Sequence, residues 1–574
     1  MLNLDRRAFL SLTAKSTAAF AAAPFFVTDA SAQAVHGGTL TRSGTALDAF
    51  VEKYMRLMNA PGMTLALVSR TGPVRIATYG FADPESHERV QPNHLFQIGS
   101  VTKSFVALTL LQLKDEGKLD LNRPVLEYLP WLPIRTDFGP VTTHTLLTHS
   151  SGLPNPLAIY PADPTYIHEQ AYKPGEHFYY CNMGFAILGE LIEKLDGVPW
   201  TQSVRRRIFA PLDMTATSAV YDTPTKLASP KSYLPFLQDR QFPRSGKFAQ
   251  LNETMFEDAA GSICSPAADM ARYLQALLNR GAAGSKRIAS EQSFTAMTTA
   301  HIKADEFSPT ASYGYGIAVD ELDGHKLLRH TGGTASYMTA VMLDLDAGFA
   351  AFASINAQLG YRPNPVVQYA LRLLRAEAEG KPLPDAPEIA DPVVIKDASQ
   401  YAGTYKLPNG NRTVNIVADN TRLHWREGAR DFIIQQSNGG DLFIDDPAFN
   451  RFAVVFGRAD NKPDAAVVEM AHGADWFVND RYQGPREFSS PPEWNAFTGM
   501  YYNSDPWVGG VRVVLRKGQL WLDGQVPLRP AGNNTFRLGE PEWSPEHVRF
   551  YYVNGGKARM IQYGSASLWR VEID

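Results

Sequence analysis

Phe96-Gln97-Ile98-Gly99-Ser100-Val101-Thr102-Lys103, followed closely by the apolar run Phe105 to Leu113, is the stretch from which the rest of the chain can be read. The run suits a buried helix, and Glu116-Gly117-Lys118 ends it. Residues three apart share one face of a helix, so the Lys103 ammonium can reach the Ser100 hydroxyl. Ser100 falls at the helix N-terminus, where backbone N–H groups favour a developing oxyanion. Apolar neighbours would lower the pKa of Lys103 and let it take the serine proton. Taken alone the spacing is weak, because a serine at a helix start is ordinarily a cap.

Two further stretches gain meaning from their order after Ser100. Tyr179-Tyr180-Cys181-Asn182 precedes a helix expected over Ala186 to Leu195. A tyrosine beside a lysine can relay protons, and an asparagine can hold a substrate amide. His330-Thr331-Gly332-Gly333 precedes the strands Met338 to Leu345 and Gly348 to Ile355. Glycines there allow a strand edge to approach an acyl group and offer it an N–H. Singly, the bland readings (aromatic core, turn) are the better ones. Together the three occur in one order, 80 residues from Ser100 to Tyr180 and 150 more to His330.

Around them the pattern mixes helices and strands. Leu47 to Met58, Met270 to Leu278 and Val366 to Ala378 have helical spacing, and Met63 to Val68 and Val74 to Tyr79 read as strands about Thr71-Gly72-Pro73. Gly380 to Pro387 is a Pro-rich linker. Beyond about residue 396 short alternating runs with Gly, Asn and Asp turns give an all-β texture. It repeats: Tyr401-Ala402-Gly403-Thr404-Tyr405 recurs 96 residues later as Phe497-Thr498-Gly499-Met500-Tyr501. Arg422-Leu423-His424-Trp425 answers Gln519-Leu520-Trp521-Leu522, and Trp476-Phe477-Val478 answers Leu568-Trp569-Arg570. Two small barrels or sandwiches fit.

Composition narrows the remainder. Of 574 residues 44% are hydrophobic, and 55 Lys+Arg against 59 Asp+Glu leave a net charge of −4, so no polyanionic partner such as nucleic acid is expected. No internal run reaches the roughly 20 apolar residues of a membrane span. Two cysteines, Cys181 and Cys264, cannot make a disulfide framework and read as buried thiols. His144 and His149 have no third ligand in view, so no metal site is expected. At the amino end Arg6-Arg7 with Phe9-Leu10, an Ala-rich stretch and Ala30-Ser31-Ala32 read as a twin-arginine export signal. That address implies a bacterial periplasm and a chain folded before export, without stable membrane insertion once the signal is removed.

With Leu146-Leu147-Thr148-His149-Ser150-Ser151-Gly152-Leu153-Pro154, Pro211-Leu212-Asp213-Met214, Ala260-Gly261-Ser262 and Tyr313-Gly314-Tyr315-Gly316, the chain resembles serine β-lactamases and penicillin-binding-protein-like hydrolases over about residues 45–375. The branch is that of class C β-lactamases, D-aminopeptidases, DD-peptidases and related esterases. The resemblance implies an α/β (α+β) β-lactamase-like domain, an antiparallel sheet flanked by helices with a helical subdomain, and no cofactor. It implies Ser100 as nucleophile, Lys103 as activator and Tyr180 as general base and acid. Asn182, His330, Thr331 and Gly332 become substrate contacts, and the N–H groups of Ser100 and Gly333 an oxyanion hole. His330 replaces the lysine of Lys-Thr-Gly, which argues against a dedicated β-lactamase because histidine is mostly neutral at pH 7.

The expected division is a signal over 1–34, a hydrolase over 35–380, a linker over 381–395 and β domains over 396–488 and 489–574. Two β domains after the hydrolase are similar to the arrangement in D-aminopeptidases, where barrels restrict the cleft. The expected activity is hydrolysis of small or D-configured peptides or amides through an acyl-enzyme. An esterase, a β-lactamase, a non-catalytic sensor or scaffold, and a carbohydrate- or wall-binding protein remain open.

Overall fold

Alternation along the strands divides the apolar residues between two faces, and helices cover both. In the computed structural model the described residues are 33–36 and 42–572, except 157, 161–164, 236–247, 252–255, 359–361, 438–439, 447, 450–451 and 506–507. The twin-arginine motif and the Ala-rich stretch after it lie outside them. β1 (Gly62–Ser69) and β2 (Gly72–Asp83) join β3 (Ala318–Leu322), β4 (His325–Gly333), β5 (Met338–Asp344) and β6 (Phe349–Ile355) in a ten-stranded sheet. Its order is Gln33–His36, β2, β1, β6, β5, β4, β3, Ser312–Tyr313, Ile302–Lys303, with Glu88–Arg89 attached to β2. All its pairings are antiparallel.

The helices that frame it are α1 (Arg42–Met58), α2 (Thr102–Asp115), α3 (Asn182–Asp196), α4 (Ala267–Leu278) and α5 (Asn364–Ala378). Leu65, Leu67, Ala351 and Ala353 pack into one core with α1 and α5. Ala66, Val68, Ala350 and Phe352 point the other way, into the core of α2, α3 and α4. Period-two alternation in the strands thus builds a helix–sheet–helix sandwich. The segment between β2 and β3 carries α2, α3 and the helical subdomain, so the Ser100 and Tyr180 stretches meet β4 from the side of α2.

Two closed eight-stranded barrels follow, Gly403 to Val478 and Gly499 to Val571. The first closes through Lys406 opposite Val478 and the second through Tyr502 opposite Trp569. The repeated motif has one structural job in both. Tyr405 donates its hydroxyl to the Tyr401 carbonyl at 2.8 Å, and Tyr501 donates to Phe497 at 2.8 Å. The linker is held down: Tyr369 of α5 donates to the Pro384 carbonyl, and Leu383 and Ile389 pack on the α1–α5 core. The barrels also hold each other, with Lys517 paired to Glu469 at 2.9 Å and Arg516 donating to the Gly473 carbonyl at 2.9 Å.

Candidate active site

Ser100 lies in a short 3₁₀ turn, Gly99–Val101, that runs directly into α2, and the caps of turn and helix make no side-chain bond. Its hydroxyl therefore serves something other than the helix end. Gly99 has φ of +52°, and a Cβ there would stand 2.7 Å from the Gly333 nitrogen. A Cβ on Gly332 would lie 1.9 Å from the Ile98 carbonyl oxygen. Only glycines let the edge of β4 press against the serine turn this closely, which brings the Ser100 and Gly333 backbones side by side.

Lys103, one helical turn on, is fully buried. Its Nζ lies 3.0 Å from Ser100 Oγ, 2.7 Å from Asn182 Oδ1 and 2.8 Å from the Ala260 carbonyl oxygen. Burial pushes its pKa down to about 7, against the nearby Asp258 and Cys181, which raise it. Two of its three neighbours are acceptors only. A neutral lysine would give its two N–H bonds to them and keep its lone pair for the Ser100 proton. Asp258 reaches this position from the loop before Ala260, where its carboxylate takes the Ala260 N–H at 2.7 Å, and burial raises its pKa.

Tyr180 stands against the same pair. Lys103 Nζ is 4.9 Å from its ring centre, and the Ser100 side chain is near enough to its hydroxyl to favour the phenolate. Burial raises its pKa, with Ser100 and Arg362 opposing, so the phenol keeps its proton at neutral pH. His149, in the left-handed region at φ +54°, accepts the Cys181 N–H on Nδ1 at 3.0 Å and lays its ring 4.2 Å from that of Tyr180. Burial depresses its pKa well below the usual range, so it is a neutral support. Cys181 is the N-cap of α3: its sulfur accepts from Gly184 N–H and donates to the Pro154 carbonyl. Burial pushes this thiol up to about 12, and neither Cys181 nor Cys264 is in a disulfide.

His330 reaches the site, but its ring is already occupied. Nδ1 must donate to the Thr331 carbonyl at 2.6 Å, so Nε2 accepts from the Tyr313 hydroxyl at 2.8 Å. Burial and Lys103 hold its pKa down to about 3. It is a neutral residue inside the wall, and beside it Thr331 and Gly333 are partly exposed while Gly332 is buried against Ile98.

Sequence reasoning missed Asp258, the Ala260 carbonyl, Arg362 and Glu306. The Arg362 guanidinium lies beside Gly333, with Nη2 3.1 Å from where a Cβ there would be. The residue is solvent-exposed, acts electrostatically on Tyr180 and His330, and has no ion pair among the described residues. Glu306, its carboxyl raised by burial, also acts on Tyr180. No motif marks either one.

The family model described as Beta-lactamase matches residues 47–375. Penicillin-binding protein 4* of Bacillus subtilis (strain 168) is 24% identical over 381 residues, 60% of this chain and 79% of that protein. Protein flp of Staphylococcus aureus (strain NCTC 8325 / PS 47) is 27% identical over 186 residues, 30% of this chain and 37% of its own length. The octameric penicillin-binding protein homologue from Pyrococcus abyssi shares the fold, with a TM-score of 0.54 and 24% identity over 76% of this chain and all of that one.

Proposed function

This chain belongs to the Beta-lactamase family, serine hydrolases of the β-lactamase and penicillin-binding type, and we propose that it cleaves amide bonds of short peptides through an acyl-enzyme on Ser100. The observation that carries this reading is the buried Lys103, its pKa pushed down to about 7 by burial and its Nζ 3.0 Å from the Ser100 hydroxyl. Lys103 takes the Ser100 proton as Oγ bonds to the substrate carbonyl carbon. The N–H groups of Ser100 and Gly333 hold the oxyanion. As the C–N bond breaks, Tyr180 gives its proton to the leaving amine and regains one from Lys103. Water then attacks the acyl-serine with the same groups in reverse. Asn182 orients Lys103 and, through its amide, a substrate carbonyl. The protonated state of Tyr180 makes it the acid of this pair and Lys103 the first base.

Two features bear on the substrate. The second barrel packs close to Tyr180, with Trp543 stacked on His177 at 4.3 Å and edge-on against Tyr172, which favours small substrates. Arg362 supplies the cation that His330 does not, suited to a substrate carboxylate near the scissile bond. D-configured residues are our preference, following the resemblance to D-aminopeptidases and DD-peptidases. The twin-arginine motif adds the proposal that the reaction takes place in the periplasm.

The test is a panel of a D-aminoacyl anilide, an L-peptide, a short-chain p-nitrophenyl ester and a chromogenic cephalosporin, run beside Ser100→Ala. Amide turnover that vanishes in Ser100→Ala is the expected result. Turnover of the ester alone would replace peptidase by esterase. Arg362→Ala should raise KM about tenfold for carboxylate-bearing peptides and leave neutral esters unchanged, as expected for loss of a charge-assisted contact.

A further inference from the structure

A carboxylate of the second barrel is joined to the serine by an unbroken series of hydrogen bonds. Glu546 lies between the strands Thr535–Leu538 and His547–Asn554 and is 8% exposed. Its Oε1 accepts the Asn155 backbone N–H at 2.6 Å and the Tyr179 hydroxyl at 2.9 Å. Asn155 Oδ1 accepts the backbone N–H of Asn182 at 2.6 Å, at the first residue of α3. Asn182 Oδ1 takes the Lys103 bond at 2.7 Å, and Lys103 touches Ser100 at 3.0 Å. Apart from the final Lys103–Ser100 contact within one helical turn, each link joins residues at least 27 apart in the chain, so none of those follows from local helix or turn geometry.

Among the described residues no cation pairs with Glu546. A buried carboxylate held by neutral donors costs solvation free energy, which a structural contact alone would not require. Nor does Glu546 act on Lys103 by charge, as Asp258 does. Its bonds fix two things beside the reacting groups. Asn155, held by its N–H, presents Oδ1 to the start of α3 and so sets where Asn182 offers its oxygen. Tyr179, held by its hydroxyl, fixes the residue next to Tyr180.

We propose that Glu546 is a positioning residue, through which docking of the second barrel becomes a condition for full turnover. The proposal rests on the reading of Ser100 as nucleophile and Lys103 as base. What matters is the acceptor oxygen, so Glu546→Gln, which keeps one, should retain activity where Glu546→Ala does not.

The experiment uses the full chain as wild type, Glu546→Ala, Glu546→Gln, Asn155→Ala and the double Glu546→Ala/Asn155→Ala, with p-nitrophenyl acetate from pH 5.5 to 9 and calorimetry to show folding. Glu546→Ala should lower kcat about tenfold with KM within about twofold, as misplacement of a reacting group does. An acceptor on Lys103 favours its charged form, so a loosened Asn182 should also move the acidic limb to lower pH. Glu546→Gln should keep at least about half of kcat, and the double variant should fall no further than the worse single one, because both residues serve one series. Losses that multiply in the double variant, an unmoved acidic limb, or equal losses in Gln and Ala would each overturn the proposal. Should Glu546→Ala not fold, Asn155→Ala and Glu546→Gln decide it alone. A wild type that hydrolyses nothing and takes up no acyl group would instead fault the hydrolase reading beneath it.

Discussion

Both barrels begin on the same buried tyrosine, bonded to the carbonyl four residues back, yet they touch the catalytic domain with opposite chemistry. The first offers Phe443, an apolar side chain in the core of α1 and α5, across the sheet from α2. The second offers the connection ahead of His547, with Trp543 on His177 and Glu546 on Asn155 and Tyr179. The closed sheet is therefore the shared part; an outward-facing residue of the strand Leu442–Ile444 makes the first copy's contact, and a connection between strands makes the second's. The first barrel packs on the face of the sheet away from α2, whereas the second packs on residues next to Tyr180 and Asn182.

Changes that separate the two barrels can be ranked. Ser100→Ala should cost at least about a thousandfold in turnover with unfolding temperature unchanged, as removal of a nucleophile does, and it sets the floor for every barrel variant. Next in size is the acidic limb. With Lys103 at about 7, kcat/KM should fall about tenfold for each pH unit below it, because the protonated lysine cannot accept the serine proton. First-barrel variants should leave that limb in place. Phe443→Ala should lower stability by about 3 kcal/mol in urea unfolding with kcat/KM within twofold, while Trp543→Ala should cost several-fold in kcat/KM. A first-barrel change that lowers kcat would break the contrast. Smallest, Tyr405→Phe and Tyr501→Phe should each cost about 1 kcal/mol, the worth of one hydrogen bond, and by similar amounts if the repeat is structural.

The stretches that could be read in the sequence are those whose chemistry sits in neighbouring residues. Ser100 and Lys103 share a helical turn, Tyr180 and Asn182 a helix start, and Gly332-Gly333 a strand edge, so residue type and order were enough to collect them. Ala260 is different, since its contribution is a backbone carbonyl that any residue could supply. Arg362 and Glu546 depend on where distant loops dock, which no local pattern encodes. The resemblance makes His330 a substrate contact, but Tyr313, from the short strand beyond β3, occupies its Nε2, a matter of sheet register. Register also divides the repeated aromatic strands. Leu423 and Trp425 both face inward, whereas Leu520 and Leu522 face inward and turn Trp521 aside.

A covalent bond at Ser100 is what this chemistry requires above all. Intact-mass spectrometry of the full chain, quenched seconds after mixing with an ester or a penicillin and followed by peptide mapping, looks for it directly. One added acyl mass is expected, on the peptide containing Ser100 in the wild type and absent from Ser100→Ala. An adduct on another residue, or one that persists in Ser100→Ala, would contradict it.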